Sequence, residues 1–316
     1  MTLHISLATQ AFVVQAGDRL VTVGSNPWDS DANKTIVVEA RNGRAVIGYA
    51  GLAHVRGEPT GEWLTRKITG SVSPHEWNQF GGGPQIHLGD IRDRIIAGLQ
   101  NELPLGQRTR PRYGLEVLIS GWSYPRIWRR GRPAACWSWT ITHSGNPRAR
   151  CQIRRSQRFR FADPSRTWQY SAIGRDDLVD LPTLHKKLAV PGTHITPDVA
   201  EQALVEAIRE AAHMPRSGVG TDVMSVYLNP LPWKFRQHAR YFRDLTVKDI
   251  RLGYAPAIVA PTGIFPPQRM TRSGGHAFVF NGETPYEFQY DMETVPPWPD
   301  TPGVQSFGPV MGKPWR

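Results

Sequence analysis

The chain has 316 residues, 40% of them hydrophobic and 21% charged, with a formal net charge of +11 and two cysteines. That apolar content supports a packed core and excludes a disordered chain. No run of residues is long and apolar enough to span a membrane, and Cys136 and Cys151 frame neither a disulfide scaffold nor a metal motif. The length suits one large domain with an appendage, or two domains. The first residues show no basic segment followed by an apolar stretch, so a cytoplasmic location is expected.

In chain order, HISLA, FVVQA and LVTVG read as strands. TIVVEA and RAVIGYAGLA form a hairpin turning at Arg41-Asn42-Gly43, where Asn-Gly would supply the positive φ angles. GEWLTRKI is a short helix and HEWNQFGGGPQIHLG a loop. DIRDRIIAGLQNEL is a longer helix, with Asp90 as its cap and Ile91, Ile95 and Leu99 on one face. YGLEVLISGW, CWSWTITHSG, SQRFRFAD and TWQYSAIG return to strand. In ITPDVAEQALVEAIREAAHM, Thr196 caps a helix that starts at Pro197, and Ala200, Leu204, Ile208 and Ala211 share a face. TDVMSVYLNP is one more strand. Past Pro230 the composition changes, HAFVFNGETPYEFQY suggests a hairpin at Asn281-Gly282, and a proline-rich tail follows. The expected units are residues 1–229, a subdomain at 230–291 and an extended tail at 292–316. Strands and helices grouped in this way suggest sheets packed on each other with helices outside.

The charge is concentrated. Ten arginines and no acidic residue lie between Arg126 and Arg160, interleaved with Trp128, Trp137, Trp139 and Phe159. Guanidinium groups pair with phosphates and rings stack on bases, so Arg129, Arg130, Arg154 and Arg155 are candidate nucleic-acid contacts. A solvated basic hairpin, or a face turned to an acidic neighbouring subunit, satisfies the same pattern.

Thr2 raises a chemical question. A small second residue permits removal of Met1, after which Thr2 would carry both a hydroxyl nucleophile and, in its own amine, a base of pKa about 7.7–8.0. Asp18 and Lys34 follow at strand edges and could supply a carboxylate and a cation. Gly51 in GYAGLA could offer a backbone N–H to an oxyanion. Taken singly, each has an ordinary reading as a turn residue, a solvated lysine or a bulge.

Taken together, Thr2, the segment AGDRLVT and Lys34 resemble the proteasome β-subunits and the related bacterial proteasome-like peptidases, which are N-terminal-nucleophile hydrolases. YAGLA resembles their oxyanion segment at Gly51, and YSAIG resembles a strand-to-helix junction. RSGVGTDVMSVYL resembles a Ser-Gly motif that would set Ser217 beside the nucleophile. The resemblance covers residues 2–229. It implies an α+β fold, a four-layer αββα sandwich of two antiparallel sheets with a C-terminal extension. It also implies a threonine-type hydrolase of a peptide or other amide, acting without metal or cofactor as a homo-oligomer. Thr22 would contact the substrate backbone. Tyr49 would form the floor of a pocket for a small or medium side chain. Arg175 and Met214 replace the serine and aspartate of that pattern, with His213 next door. The alternative expectation is therefore a non-catalytic assembly or nucleic-acid-binding protein of the same fold, working through residues 126–160.

Overall fold

All seven residues of Leu3–Thr9 are buried, although HISLA alternates apolar and polar side chains. A strand buried on both faces must lie between two layers. The computed structural model of the chain describes residues 2–9, 11–23, 26–29, 32–70, 86–103, 114–124, 135–146, 148–155, 168–188, 195–230, 237–242, 253–260, 263–265, 268–270, 275–281 and 284–292.

The chain opens with β1 (Leu3–Thr9) and β2 (Val13–Asp18), the short pair β3 (Val21–Val23) and β4 (Asn26–Asp29), and the hairpin β5 (Thr35–Ala40) and β6 (Gly43–Gly51). The two-residue strands β7 (His54–Val55) and β8 (Glu58–Pro59) lead into α1 (Thr60–Thr69) and α2 (Leu88–Glu102). Next come β9 (Leu115–Ser123), β10 (Ala135–His143), β11 (Gln152–Arg155) and β12 (Trp168–Gly174). Helices α3 (Leu181–Leu188) and α4 (Pro197–His213) precede β13 (Val223–Leu228). The rest is strand: β14 (Gln237–Phe242), β15 (Gly253–Ala255), β16 (Ala257–Ala260), β17 (Gly263–Phe265), β18 (Gln268–Met270), β19 (Gly275–Asn281) and β20 (Thr284–Met292).

The fold is mixed α+β, built mainly on antiparallel sheets. One seven-stranded sheet has the order β12-β1-β2-β13-β14-β20-β19, and a second has the order β11-β10-β9-β6-β5-β16-β17. Pairing is antiparallel except at β14–β20 and β5–β16, which are parallel. This corrects the expectation of two purely antiparallel sheets. Strands that return to a sheet after a long excursion can enter in either direction, and these two enter parallel. Residues 230–291 therefore supply strands to both large sheets. β19 and β20 pair from Gly275↔Tyr290 to Asn281↔Thr284. The tail beyond Met292 lies outside the described residues.

Among the described residues, the three larger of four apolar clusters follow from the alternation of side chains. Trp63, Leu64 and Ile68 of α1 and Ile91, Ile95 and Leu99 of α2 cover Ile36, Ile47, Val117 and Ile119 of the second sheet. Leu184 and Leu188 of α3 and Ala200, Leu204 and Ile208 of α4 cover Leu3, Ile5, Leu7 and Val14 of the first. Ala8, Val13 and Val226 meet Val37, Val46 and Trp122, so the third cluster draws on both sheets. Each fully buried Leu or Ile stabilises the fold by roughly 1.5–3 kcal/mol.

Two local expectations need correction. Asn42 does not adopt a positive φ, whereas Gly43 does, at 154°. The Asn42 side chain instead accepts a hydrogen bond from Leu88 N at 2.9 Å, holding the start of α2. Asp90 accordingly sits in the first turn of α2 rather than at its cap, a place that still favours an anion. At α4 the reading holds: Thr196 Oγ1 accepts from Val199 N at 3.3 Å, with Pro197 at the first turn.

Candidate active site

The ends of β1 and β2 and the start of β5 bring three distant residues together. Lys34 Nζ donates to Thr2 Oγ1 at 2.7 Å, to Asp18 Oδ2 at 3.3 Å and to the Leu20 carbonyl at 2.5 Å. Thr2, Asp18 and Lys34 are all buried. Asp18 is itself well held: Oδ1 accepts from Leu3 N at 2.8 Å, while Oδ2 accepts from Leu20 N at 3.0 Å and Gly220 N at 3.1 Å. The lysine is thus a buried ammonium with a carboxylate, a carbonyl and a hydroxyl as acceptors. Burial pushes it below the usual lysine range, against the pull of Asp18 in the other direction.

Thr2 is anchored on its other side as well. Its carbonyl accepts from Arg175 N at 3.0 Å. Gly174, at φ 84°, lies so close that a β-carbon there would come within 1.9 Å of the Thr2 oxygen. Glu116 of β9 secures this turn by accepting from Gly174 N at 2.6 Å, and its burial pushes the carboxyl upward. Gly174→Ala is therefore expected to destabilise the fold by about 1–3 kcal/mol and to displace Thr2. Urea unfolding and reactivity of Thr2 check the two effects together. Glu116 was not visible as a site element in the sequence, since β9 lies in the other large sheet and meets Gly174 across 58 residues.

The remaining expected residues lie as follows. Gly51 ends β6, exposed, at φ 108°, where a β-carbon would lie 2.1 Å from the Gly114 carbonyl. Ser217 is buried, but its hydroxyl donates to Ala212 O at 2.9 Å and accepts from Val219 N at 3.3 Å. Arg175 donates to the carbonyls of Arg216 and Ser217 and pairs with Asp177. Met214 and His213 are exposed. Thr22 sits in β3, paired with β4. Tyr49 is buried, its hydroxyl donating to Asn33 O at 3.1 Å, and burial raises its pKa. Tyr49 lines a cleft of about 370 Å³ together with Val21, Trp28, Asp29, His54 and Glu62.

The arginine-rich segment is only partly described. Arg129 and Arg130 lie outside the described residues, as does the side chain of Arg155. Arg154 is exposed on β11. Trp137 and Trp139 are not surface rings: they stack on each other, centroids 4.0 Å apart, within the α1–α2 cluster. Among the described residues no group of three or more His, Cys, Asp or Glu could hold a metal, and no helix is long and apolar enough to cross a membrane.

His4 lies two residues beyond Thr2 and is fully buried, its ring nitrogens without hydrogen-bond partners. Burial, reinforced by the Lys34 charge, lowers its pKa to about 3. The unfolded chain binds this proton near 6.5 and the folded chain only near 3, so stability falls as pH drops through that window. The slope is about 1.4 kcal/mol per pH unit. His4→Phe is expected to lose that acid sensitivity, as equilibrium unfolding between those pH values would show.

No protein-family model matches the chain, and no curated protein matches it. Among solved structures it is similar to Anbu (ancestral beta-subunit) from Yersinia bercovieri, at 14% identity and a TM-score of 0.45 over 71% of this chain and 81% of that one. It is also similar to an Anbu (Gly-1) mutant from Hyphomicrobium sp. strain MC1, at 10% identity and a TM-score of 0.46, over 86% and 87%. These values correct the sequence-based assignment to the proteasome β-subunits and bacterial proteasome-like peptidases. A few motifs spread over residues 2–229 do not carry family membership when identity to these structures is only 14% and 10%.

Proposed function

We propose that the chain is a hydrolase of a peptide or other amide bond whose nucleophile is Thr2, freed as the N-terminal residue by removal of Met1. The supporting observation is the 2.7 Å bond from the buried Lys34 ammonium to Thr2 Oγ1, with Asp18 behind the lysine. Nothing in ordinary packing calls for a buried cation aimed at a hydroxyl. An ammonium at that oxygen stabilises the alkoxide that develops as the proton leaves.

The reaction then balances in two halves. Thr2 Oγ bonds to the amide carbon while its proton passes to the Thr2 amine. The carbonyl electrons move to oxygen, where the Gly51 N–H is placed as donor in this reading. The intermediate collapses with cleavage of the C–N bond, and the ammonium proton goes to the leaving amine. Water adds to the acyl ester by the same route and releases the acid. Ser217 in this scheme orients the Thr2 amine from its loop, and Thr22 pairs with an extended substrate backbone. The core is taken as four layers, α1–α2, two sheets and α3–α4, with Thr2 at the edge between the sheets.

The cleft containing Tyr49 is the candidate pocket for the side chain beside the scissile bond. Asp29 and Glu62 among its lining favour a positively charged side chain over an acidic one. The test of the function is an epoxyketone, which engages a free threonine amine and hydroxyl together. One adduct on Thr2, absent in Thr2→Ala, is expected. A chain with a free Thr2 amine that forms no adduct contradicts the reading.

A further inference from the structure

The layer between the two large sheets holds polar groups that the Thr2 chemistry does not use. Both nitrogens of His4, both amide atoms of Gln15, and the hydroxyls of Ser6 and Ser120 are buried without hydrogen-bond partners. They are neighbours. Ser6 stands opposite Gln15 on β2 and Ser171 on β12, and Ser120 stands opposite Ser138 on β10. The Ser138 and Ser171 hydroxyls share a hydrogen bond of 2.7 Å, which joins the two sheets. A β-carbon on Gly48 would lie 2.5 Å from both His4 Nδ1 and Gln15 Nε2, so ring and amide reach the facing sheet at one point. A β-carbon on Gly17 would lie 2.1 Å from the same ring.

Two glycines, one in each sheet, thus make room for a single imidazole. An apolar side chain would fill that place without orphaned groups, each of which is unfavourable when buried unmet. Buried polar atoms in native proteins are met by protein or by ordered water. We propose that this row is an internal water site, with ordered water held by His4, Gln15, Ser6 and Ser120, and that through it His4 is a positioning residue for Lys34.

The ligand is water because the row offers neutral donors and acceptors in close quarters. The positioning role rests on the hydrolase reading, and the water site does not. His4 is two residues along β1 from Thr2, whose hydroxyl accepts from Lys34 Nζ at 2.7 Å, and it stands opposite Gly17, the neighbour of Asp18. The groups acting on Lys34 are Asp18 and Arg19 around β2 and Asp29 of β4. Neutral dipoles linked by water steady the ammonium without adding charge to that set.

A high-resolution crystal structure of the whole chain is the first test. Water within about 3.2 Å of a His4 nitrogen and of the Gln15 amide is expected. A dry layer overturns the site. The second test compares the unaltered chain with His4→Phe, which keeps the ring volume, and Ser120→Ala, which removes one hydroxyl and folds even if the phenyl ring does not. The alkaline limb of Thr2 labelling is expected to move to lower pH by about one unit, a tenfold change in the Lys34 protonation equilibrium. His4→Asn, which retains hydrogen-bonding capacity, is expected to move it less. Limbs that superimpose on that of the unaltered chain overturn the positioning role. If the unaltered chain is not labelled at Thr2, that role falls with the hydrolase reading, and diffraction alone decides the water site.

Discussion

Lys34→Met lowers the rate of Thr2 acylation by about 10²–10⁴-fold while the chain still folds. Methionine keeps the length and volume of the lysine stem and removes only the charge. The hydroxyl of Thr2 then loses the ammonium 2.7 Å away, and the developing alkoxide has no cation to face. The fold survives because Asp18 retains its three backbone donors, Leu3 N, Leu20 N and Gly220 N. The pH dependence changes in a defined direction. Burial holds the Lys34 pKa in the folded chain below the unfolded value near 10.5, so over that interval the unfolded chain binds the proton more tightly. Stability from this residue therefore rises with pH through the interval, and the methionine variant lacks the rise. Labelling rates and urea unfolding across the alkaline range measure both effects.

Asp18→Ala has the largest expected effect on stability. It leaves a buried ammonium without its carboxylate and three backbone N–H groups without their acceptor. Removing one partner of a buried ion pair typically destabilises by about 3–5 kcal/mol. Asp18→Ala combined with Lys34→Met is expected to be more stable than Asp18→Ala alone, because the second change removes the stranded charge. Thermal or chemical unfolding of the two single variants and the double variant checks this. Equal stability of Asp18→Ala and the double variant contradicts a strong coupling.

The part of this site legible in the sequence is the part built from the first strands. Thr2, Asp18 and Lys34 lie at the ends of β1, β2 and β5, in two different sheets; spacing left each with an ordinary reading, and the resemblance is what grouped them. The junctions at Gly174–Arg175 and Ser217–Gly220 entered only through the resemblance, and the Glu116 anchor was not legible, because β9 belongs to the other large sheet and reaches Gly174 across 58 residues. Nor was the Asn42 cap of α2, a contact across 46 residues. One misreading had a usable signal. Trp137, Trp139 and Ile141 alternate along β10, which marks one covered face, yet the neighbouring arginines drew the tryptophans into a surface reading. His4 was not singled out in the sequence. The space for its ring depends on Gly17 and Gly48, one in each sheet, and no local pattern links them.

The fold class was legible for a plainer reason. Runs of alternation and the clean periodicity of α4 specify strands and a helix whatever their partners. Which strands pair in parallel depends on the path between them, so β14–β20 and β5–β16 escaped the reading.

The mass of the intact purified chain, read with its first residue, tests the central claim most directly. The account predicts a chain that begins at Thr2 with an unmodified amine. A native chain that keeps Met1, or any other group on the Thr2 nitrogen, contradicts it, because a blocked nitrogen cannot take the hydroxyl proton.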